Sequence, residues 1–170
     1  MRQTVEHPLS PIYNEHSKIL ILGTMPSPVS RQRAFYYAHP QNRFWQILFA
    51  LLGSTPAEDN NARQAFCLSH GIALWDVLKS CTIEGASDAS IRDAVPNNIA
   101  LILAKSNIQA IFTTGHTAGK LYHTLCERST GRPAIVLPSP SAANATMRLD
   151  TLIERYRILL PYLDQPPTCI

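Results

Sequence analysis

The chain has 170 residues, 45% of them hydrophobic and only 16% charged, which is enough for one domain with its own core. Its net charge of +3 and pI of about 8.8 are mildly basic, compatible with a nucleic-acid partner but not diagnostic of one. The opening MRQTVEHPLSPIYNEHSK holds no signal-peptide apolar core, and no run reaches the ~18 apolar residues of a membrane span. Secreted and membrane classes are therefore set aside, and the cytoplasm is the expected location. The cysteines, Cys67, Cys81, Cys126 and Cys169, show no CxxC spacing. They read as buried, inert thiols rather than a zinc knuckle or disulfides.

Lys18–Leu22 (KILIL) ends at Gly23 and reads as a buried parallel strand. Gln41–Leu52 carries Phe44, Trp45, Leu48, Leu51 and Leu52 at helical spacing, with Gly53 as the stop. Thr55-Pro56-Ala57-Glu58 has the form of a capping box with proline at the first helical position, predicting a helix from there to about Ser69. Gly71–Trp75 reads as a second strand, Asn97 to about Lys105 as a short helix, and Gln109–Thr113 as a third strand. Gly115–Cys126 follows as a helix with Ala118, Leu121, Tyr122 and Leu125 inward. Pro133–Leu137 is the fourth strand. Leu149, Leu152, Ile153, Tyr156 and Leu160 mark a last helix ending near Pro161.

Strands thus alternate with helical stretches too long for hairpins. The pattern predicts an α/β fold: a three-layer α/β/α arrangement around a central, four-stranded, mostly parallel sheet. One domain should span residues 1–170, with 1–17 and 164–170 peripheral. Ligands of such sheets bind beyond the carboxyl ends of the strands. Three polar or Gly/Pro-rich loops fall there: Gly23–Ser30, Thr113–His116 and Pro138–Asn144.

Gly23-Thr24-Met25-Pro26-Ser27 allows close approach to main-chain N–H groups, which suit a base edge or a phosphate; an ordinary turn is the plainer alternative. No GK[ST] follows it and no G-x-G-x-x-G is present, so neither nucleotide fingerprint applies. Arg31 and Arg33 suit phosphates or a solvated turn. Tyr36 and Tyr37 precede a helix and offer stacking faces for an extruded base, with one of the two expected in the core. Asn42 suits an N-cap, or the orientation of a water or a base amide. His39 is open between a structural hydrogen bond and proton transfer. Leu137-Pro138-Ser139-Pro140-Ser141 is a rigid turn whose N–H and O–H groups suit phosphate, or a simple proline turn.

Gly23-Thr24-Met25-Pro26-Ser27, then FYYAHPQNRFW over Phe35–Trp45, then Leu137 to Asn144 (LPSPSAAN) resemble, in order and spacing, the uracil-DNA glycosylase superfamily. Within it the chain is most similar to the hypoxanthine-DNA (deoxyinosine) glycosylase family, and AHPQNRFW also resembles the mismatch-specific uracil-DNA glycosylase. The resemblance implies the superfamily fold and a monofunctional DNA glycosylase of base excision repair. Such an enzyme flips a deaminated base out of DNA and hydrolyses its N-glycosidic bond: hypoxanthine first, with xanthine or uracil as alternatives. It uses no metal or cofactor, takes damaged DNA as its partner and works as a monomer. By position the resemblance implies that Gly23, Thr24 and Met25 line the base pocket, that Tyr37 stacks on the base, and that Asn42 is catalytic; His39, from its place in the chain, is a further pocket candidate. Ser139 and Ser141 would pinch the DNA backbone, with Ser27, Arg31, Arg33 and Asn144 as further backbone contacts.

Departures from the superfamily pattern sharpen the expectation. Met25 stands where many members place Asp, Asn or Glu to position water, so that role passes to Asn42. Leu137 stands where many place His or Asn to stabilise charge on the leaving base, so efficient uracil removal is not expected. Hypoxanthine, a purine with a labile bond whose departure is assisted by ring protonation, needs less help. The wedge position, Ser141 or Ala142, is small, so extrusion should depend on an already weak pair. The cysteine spacing does not match that of relatives holding an iron–sulfur cluster. Two other classes compete: a non-catalytic nucleic-acid-binding module retaining the fold, and an α/β hydrolase. The second lacks G-x-S-x-G and would have its serine in a proline turn.

Overall fold

The computed structural model describes residues 1–163. The tail expected to be loose, and Cys169 within it, lie outside the described residues. Arg2–Glu6 forms β1 and Ile19–Gly23 forms β2; the short helix α1 follows at Pro28–Arg33, then α2 at Phe44–Leu51 and α3 at Asn60–Ser69. Ile72–Asp76 (β3), Leu78–Glu84 (β4) and Ser87–Pro96 (β5) come next, then α4 at Ile99–Ala104. Ala110–Thr114 is β6, His116–Leu125 α5, Glu127–Thr130 α6, Ile135–Leu137 β7 and Leu149–Tyr156 α7. A 3₁₀ turn at Arg157–Leu159 leads into α8, Leu160–Leu163.

β3, β2, β6 and β7 form one sheet in that order, and every pairing is parallel. β2 and β6 are buried along their whole length, so successive residues feed opposite cores. Ile19 and Ile21 pack with Phe44, Ile47, Leu48, Leu152 and Tyr156 on one face. Leu20 and Leu22 pack with Ile99, Ile102, Tyr122 and Cys81 on the other. This is the expected three-layer arrangement. No helix among the described residues is long and apolar enough to cross a membrane.

Residues 78–96, left without assignment by the sequence pattern, form β4 and β5. With β1 they make a second, antiparallel sheet in the order β1-β4-β5. Register shifts break the two-residue period along the β4–β5 pair, and β5 buries no residue fully. The first 17 residues, expected at the periphery, are integral. β1 pairs with β4 from Arg2–Glu84 to Glu6–Ser80, Val5 is buried, and Ile12 bridges Leu74.

Two boundaries are also corrected. α3 starts at Asn60, not at the Thr55 capping box: Asp59 Oδ1 accepts from the Asn61 amide at 3.0 Å, and Arg63 Nε holds the Ala57 carbonyl at 2.7 Å outside the helix. The last helix, expected to run unbroken to near Pro161, is interrupted before it. Its axis breaks at the 3₁₀ turn, and the proline sits in the first turn of α8, where its missing N–H costs nothing. Cys67, Cys81 and Cys126 are buried free thiols. Burial pushes Cys67 up to about 12 and Cys126 to about 11, which leaves both protonated and unreactive.

Candidate active site

The chain leaves β2 for β3 on one side and then crosses to β6 on the other, so the strand order reverses beside β2. At the carboxyl ends there, Gly23, Asp76 and Thr114 terminate their strands around a cavity of about 360 Å³. All three predicted loops reach it, the second through Thr114. Val77 N and Leu78 N bond the carbonyls of Gly23 and Thr24 at 2.8 and 3.1 Å, and Gly115 N bonds the Leu137 carbonyl at 2.7 Å, so the rim is tied to the sheet.

Gly23 is required by close approach. A Cβ there would lie 2.4 Å from Asp76 Oδ1 and 3.2 Å from the Tyr37 hydroxyl. Thr24, Met25 and Ser27 line the cavity beyond it, and Ser27 also caps α1 through the Ser30 amide. The two tyrosines divide as expected. Tyr36 is 3% exposed, with its hydroxyl donated to the Ser10 carbonyl at 2.8 Å. Tyr37 lines the cavity, its ring stacked on Phe44 with centroids 3.8 Å apart and its hydroxyl 2.9 Å from Thr114 Oγ1. Its φ of 50° is unusual for a bulky residue and marks a backbone held in place by these contacts. The surrounding protein, and secondarily the Asp76 charge, push the Tyr37 phenol well up, so it stays neutral.

Asn42 lines the cavity one residue before Arg43, the N-cap of α2. Its Oδ1 accepts from the Phe44 amide at 2.9 Å, closing the turn into α2. Its side-chain N–H groups bond no described residue and remain for a ligand or water. His39 also lines the cavity; its Nδ1 accepts from the Gln41 amide at 3.1 Å, which places the ring proton on Nε2.

Arg43, which the sequence did not single out, locks the third loop against α2. Nε bonds the Pro140 carbonyl at 3.3 Å, Nη2 bonds the Ser141 and Asn144 carbonyls at 2.8 and 3.1 Å, and Nη1 bonds that of Met147. Within the loop, Ser139 Oγ accepts from Ser141 N and Ser141 Oγ from Ala143 N, each at 3.2 Å. Ser139 and Ser141 line the cavity; Asn144 does not, and its amide braces the Ser139 carbonyl at 3.0 Å. Arg31 and Arg33 also stand outside the cavity, bonded to the carbonyls of Pro26 and Ala38 at 2.9 and 3.2 Å. Leu137 is 2% exposed in the core and presents no donor to the cavity.

Two carboxylates complete the site, and neither was legible as such. Asp76 closes β3, and its Oδ2 lies 2.7 Å from Nε2 of His7 in the N-terminal arm. Asn97 Nδ2 bonds the Asp76 carbonyl at 2.9 Å and fixes the strand end. Asp88 reaches over from the β4–β5 hairpin and accepts from Thr24 Oγ1 at 3.4 Å. The protein around it raises its carboxyl above the ordinary value; the Asp76 charge adds to this, and the Thr24 hydroxyl opposes it. The available sequence signal was an acidic residue directly after an apolar strand run. Among the described residues no group of three or more His, Cys, Asp or Glu is placed to hold a metal ion.

Comparison with known proteins bears on the family and the fold. The family model of the uracil DNA glycosylase superfamily matches residues 10–160. The hypoxanthine DNA glycosylase of Methanosarcina barkeri is 32% identical over 136 residues, covering 79% of this chain and 85% of that protein. That of Methanosarcina acetivorans is 34% identical over 135 residues, covering 78% and 84%. The solution NMR structure of a Methanosarcina acetivorans protein, provisionally assigned as a uracil DNA glycosylase, superposes with a TM-score of 0.75. Its identity is 28%, over 94% of this chain and 99% of that one.

Proposed function

We propose that this chain, which belongs to the uracil-DNA glycosylase superfamily and is a DNA glycosylase, removes hypoxanthine from DNA by flipping the base into the cavity beside Gly23 and hydrolysing its N-glycosidic bond. The observation that carries this reading is a cavity at the strand ends with an aromatic wall, Tyr37, over a glycine floor, reached by an asparagine with unspent N–H groups. A cavity of about 360 Å³ lies within the range of small-ligand sites. Stacking of an extruded base on an aromatic ring is worth about 1–3 kcal/mol.

As the bond lengthens, the sugar gains oxocarbenium character and the base gains negative charge. Asn42 acts by donation and positioning, since its carbonyl oxygen is committed to Phe44. The Gly23–Met25 loop and His39 line the same cavity, and their main-chain and ring N–H groups are the further donors this reading assigns to the base edge. With Leu137 turned into the core, no side chain at that position stabilises an anionic pyrimidine. This favours a purine that leaves after ring protonation. Ser27, Ser139 and Ser141 on the rim, with Arg31, Arg33 and Asn144 outside it, contact the DNA backbone on either side of the flipped nucleotide. The product is an abasic site, the entry point of base excision repair.

The test is excision from labelled duplexes carrying a single hypoxanthine, xanthine or uracil, followed by alkali to cleave abasic sites. Strand breaks should appear at hypoxanthine well before uracil. Breaks mainly at uracil would transfer the substrate reading to the pyrimidine.

A further inference from the structure

We propose that His7 and Asp76 form a reading pair for the ring N–H of a deaminated base. In this pair His7 commits one oxygen of Asp76 so that the other stands in the cavity as a single anionic acceptor. The inference rests on the glycosylase reading above and adds how the base is chosen.

Asp76 is 4% exposed. A carboxylate so far from water needs partners for both oxygens. Oδ2 has one, His7 Nε2 at 2.7 Å, and the two side chains are only 6% and 2% exposed. The imidazole is itself fixed. Its Nδ1 lies 3.0 Å from the Leu9 carbonyl and 3.2 Å from the Leu9 amide, and its Nε2, facing a carboxylate oxygen that only accepts, is the donor to Asp76. The ring packs beside Tyr36 and Trp75, with centroids 6.1 and 6.4 Å away. Oδ1 meets no donor among the described residues. It lies over Gly23, where an added Cβ would come within 2.4 Å of it, and Asp76 lines the cavity. A charged acceptor left bare inside a cavity is complementary to a ligand N–H.

Base chemistry decides which ligand. Hypoxanthine, xanthine and uracil carry a proton on the ring nitrogen flanked by carbonyl carbon, where adenine and cytosine carry a lone pair. A carboxylate oxygen facing that position attracts the first group and repels the second. Guanine carries two adjacent donors, a ring N–H and an exocyclic amine, which a free carboxylate would accept as a fork. With Oδ2 held by His7, that fork is unavailable. His7 is therefore a positioning residue for specificity. It also gives a role to the N-terminal arm, which β1 and the Ile12–Leu74 bridge hold against the domain.

The experiment is single-turnover excision of hypoxanthine and of unsubstituted purine, which keeps the ring but has a lone pair at N1 and no oxygen at C6. In Asp76→Asn the amide oxygen accepts from His7 and its NH₂ turns to the cavity, replacing an acceptor by a donor. The wild type should favour hypoxanthine over purine by about 10- to 100-fold. Asp76→Asn should lower that ratio at least about tenfold, with the free bases changing in parallel as competitive inhibitors. His7→Phe should do the same, whereas His7→Gln, which keeps a donor, should restore most of the preference. The His7 pair decides the matter if Asp76→Asn fails to fold. Normal hypoxanthine excision with an unchanged ratio in folded Asp76→Asn or His7→Phe overturns the reading pair alone. A wild-type protein that excises no hypoxanthine overturns the substrate reading and the reading pair with it.

Discussion

Arg43 donates Nη2 to the Ser141 carbonyl at 2.8 Å, joining two loops 98 residues apart in sequence. The same guanidinium also serves Pro140, Asn144 and Met147. The segment that opens α2 and the loop after β7 are thereby tied together, and both line the cavity. Such spread donation is what a planar fork provides and a point charge does not.

Arg43→Lys should therefore loosen the Pro140–Met147 loop while keeping the charge. A loss of about 2–3 kcal/mol in urea unfolding is expected from stranded carbonyls, with excision slowed at least about tenfold. Unchanged stability would mean that water replaces the guanidinium at no cost.

Asn42 Oδ1 accepts from the Phe44 amide while its N–H groups bond no described residue, so the role proposed for it in excision can be tested apart from its structural one. Asn42→Ala should lose about 1 kcal/mol of stability and most activity, with DNA binding retained. Asn42→Asp keeps the capping oxygen, so it should recover stability without recovering excision. Activity in Asn42→Asp close to wild type would show that donation from this residue is dispensable.

Tyr37 holds its place by stacking on Phe44 and by the bond to Thr114. Tyr37→Phe removes only the hydroxyl and should cost about 1 kcal/mol of stability. Tyr37→Ala should in addition weaken product-base affinity, read by competitive inhibition, by about 1–3 kcal/mol. Equal base affinities in the two variants would argue against stacking.

Asp88 gives a stability signature with pH. Its folded carboxyl sits above the ordinary value, chiefly through burial, so the folded state binds more protons than the unfolded one in the window just above that value. Stability from this group is present below its unfolded pKa and lost as pH rises through the folded one. Asp88→Asn should hence be more stable than wild type at pH 7, and the difference should shrink as pH falls below the ordinary carboxylate range. Thermal melts of both proteins across that range measure it; a difference independent of pH would place the effect elsewhere.

The parallel sheet was legible because each of its strands is a short, largely apolar run bounded by glycine, proline or a polar turn. Ile19–Gly23 and Ala110–Thr114 are buried on both faces, and that condition leaves a local imprint in composition. The loops holding Gly23 and Ser139 were legible for the same reason, since they follow directly from where those strands end, whereas Tyr37 and Asn42, between α1 and α2, were singled out by residue type and by the FYYAHPQNRFW motif. The antiparallel sheet left almost no imprint. β1 buries only Val5, β5 buries nothing fully, and the β4–β5 register shifts scramble the alternation.

Local period and composition thus determine the strands of the parallel sheet, the longer helices and the end of that sheet at which a ligand can sit. Folding in three dimensions settles which side chains meet there. His7 reaches Asp76 across 69 residues, and Tyr36 rather than Tyr37 turns into the core. Arg43 finds carbonyls in a loop that its own neighbourhood in sequence gives no sign of. Each of these is a polar contact between distant segments, stabilised by pairing buried groups once the apolar layers have closed. No spacing rule along the chain encodes such a contact.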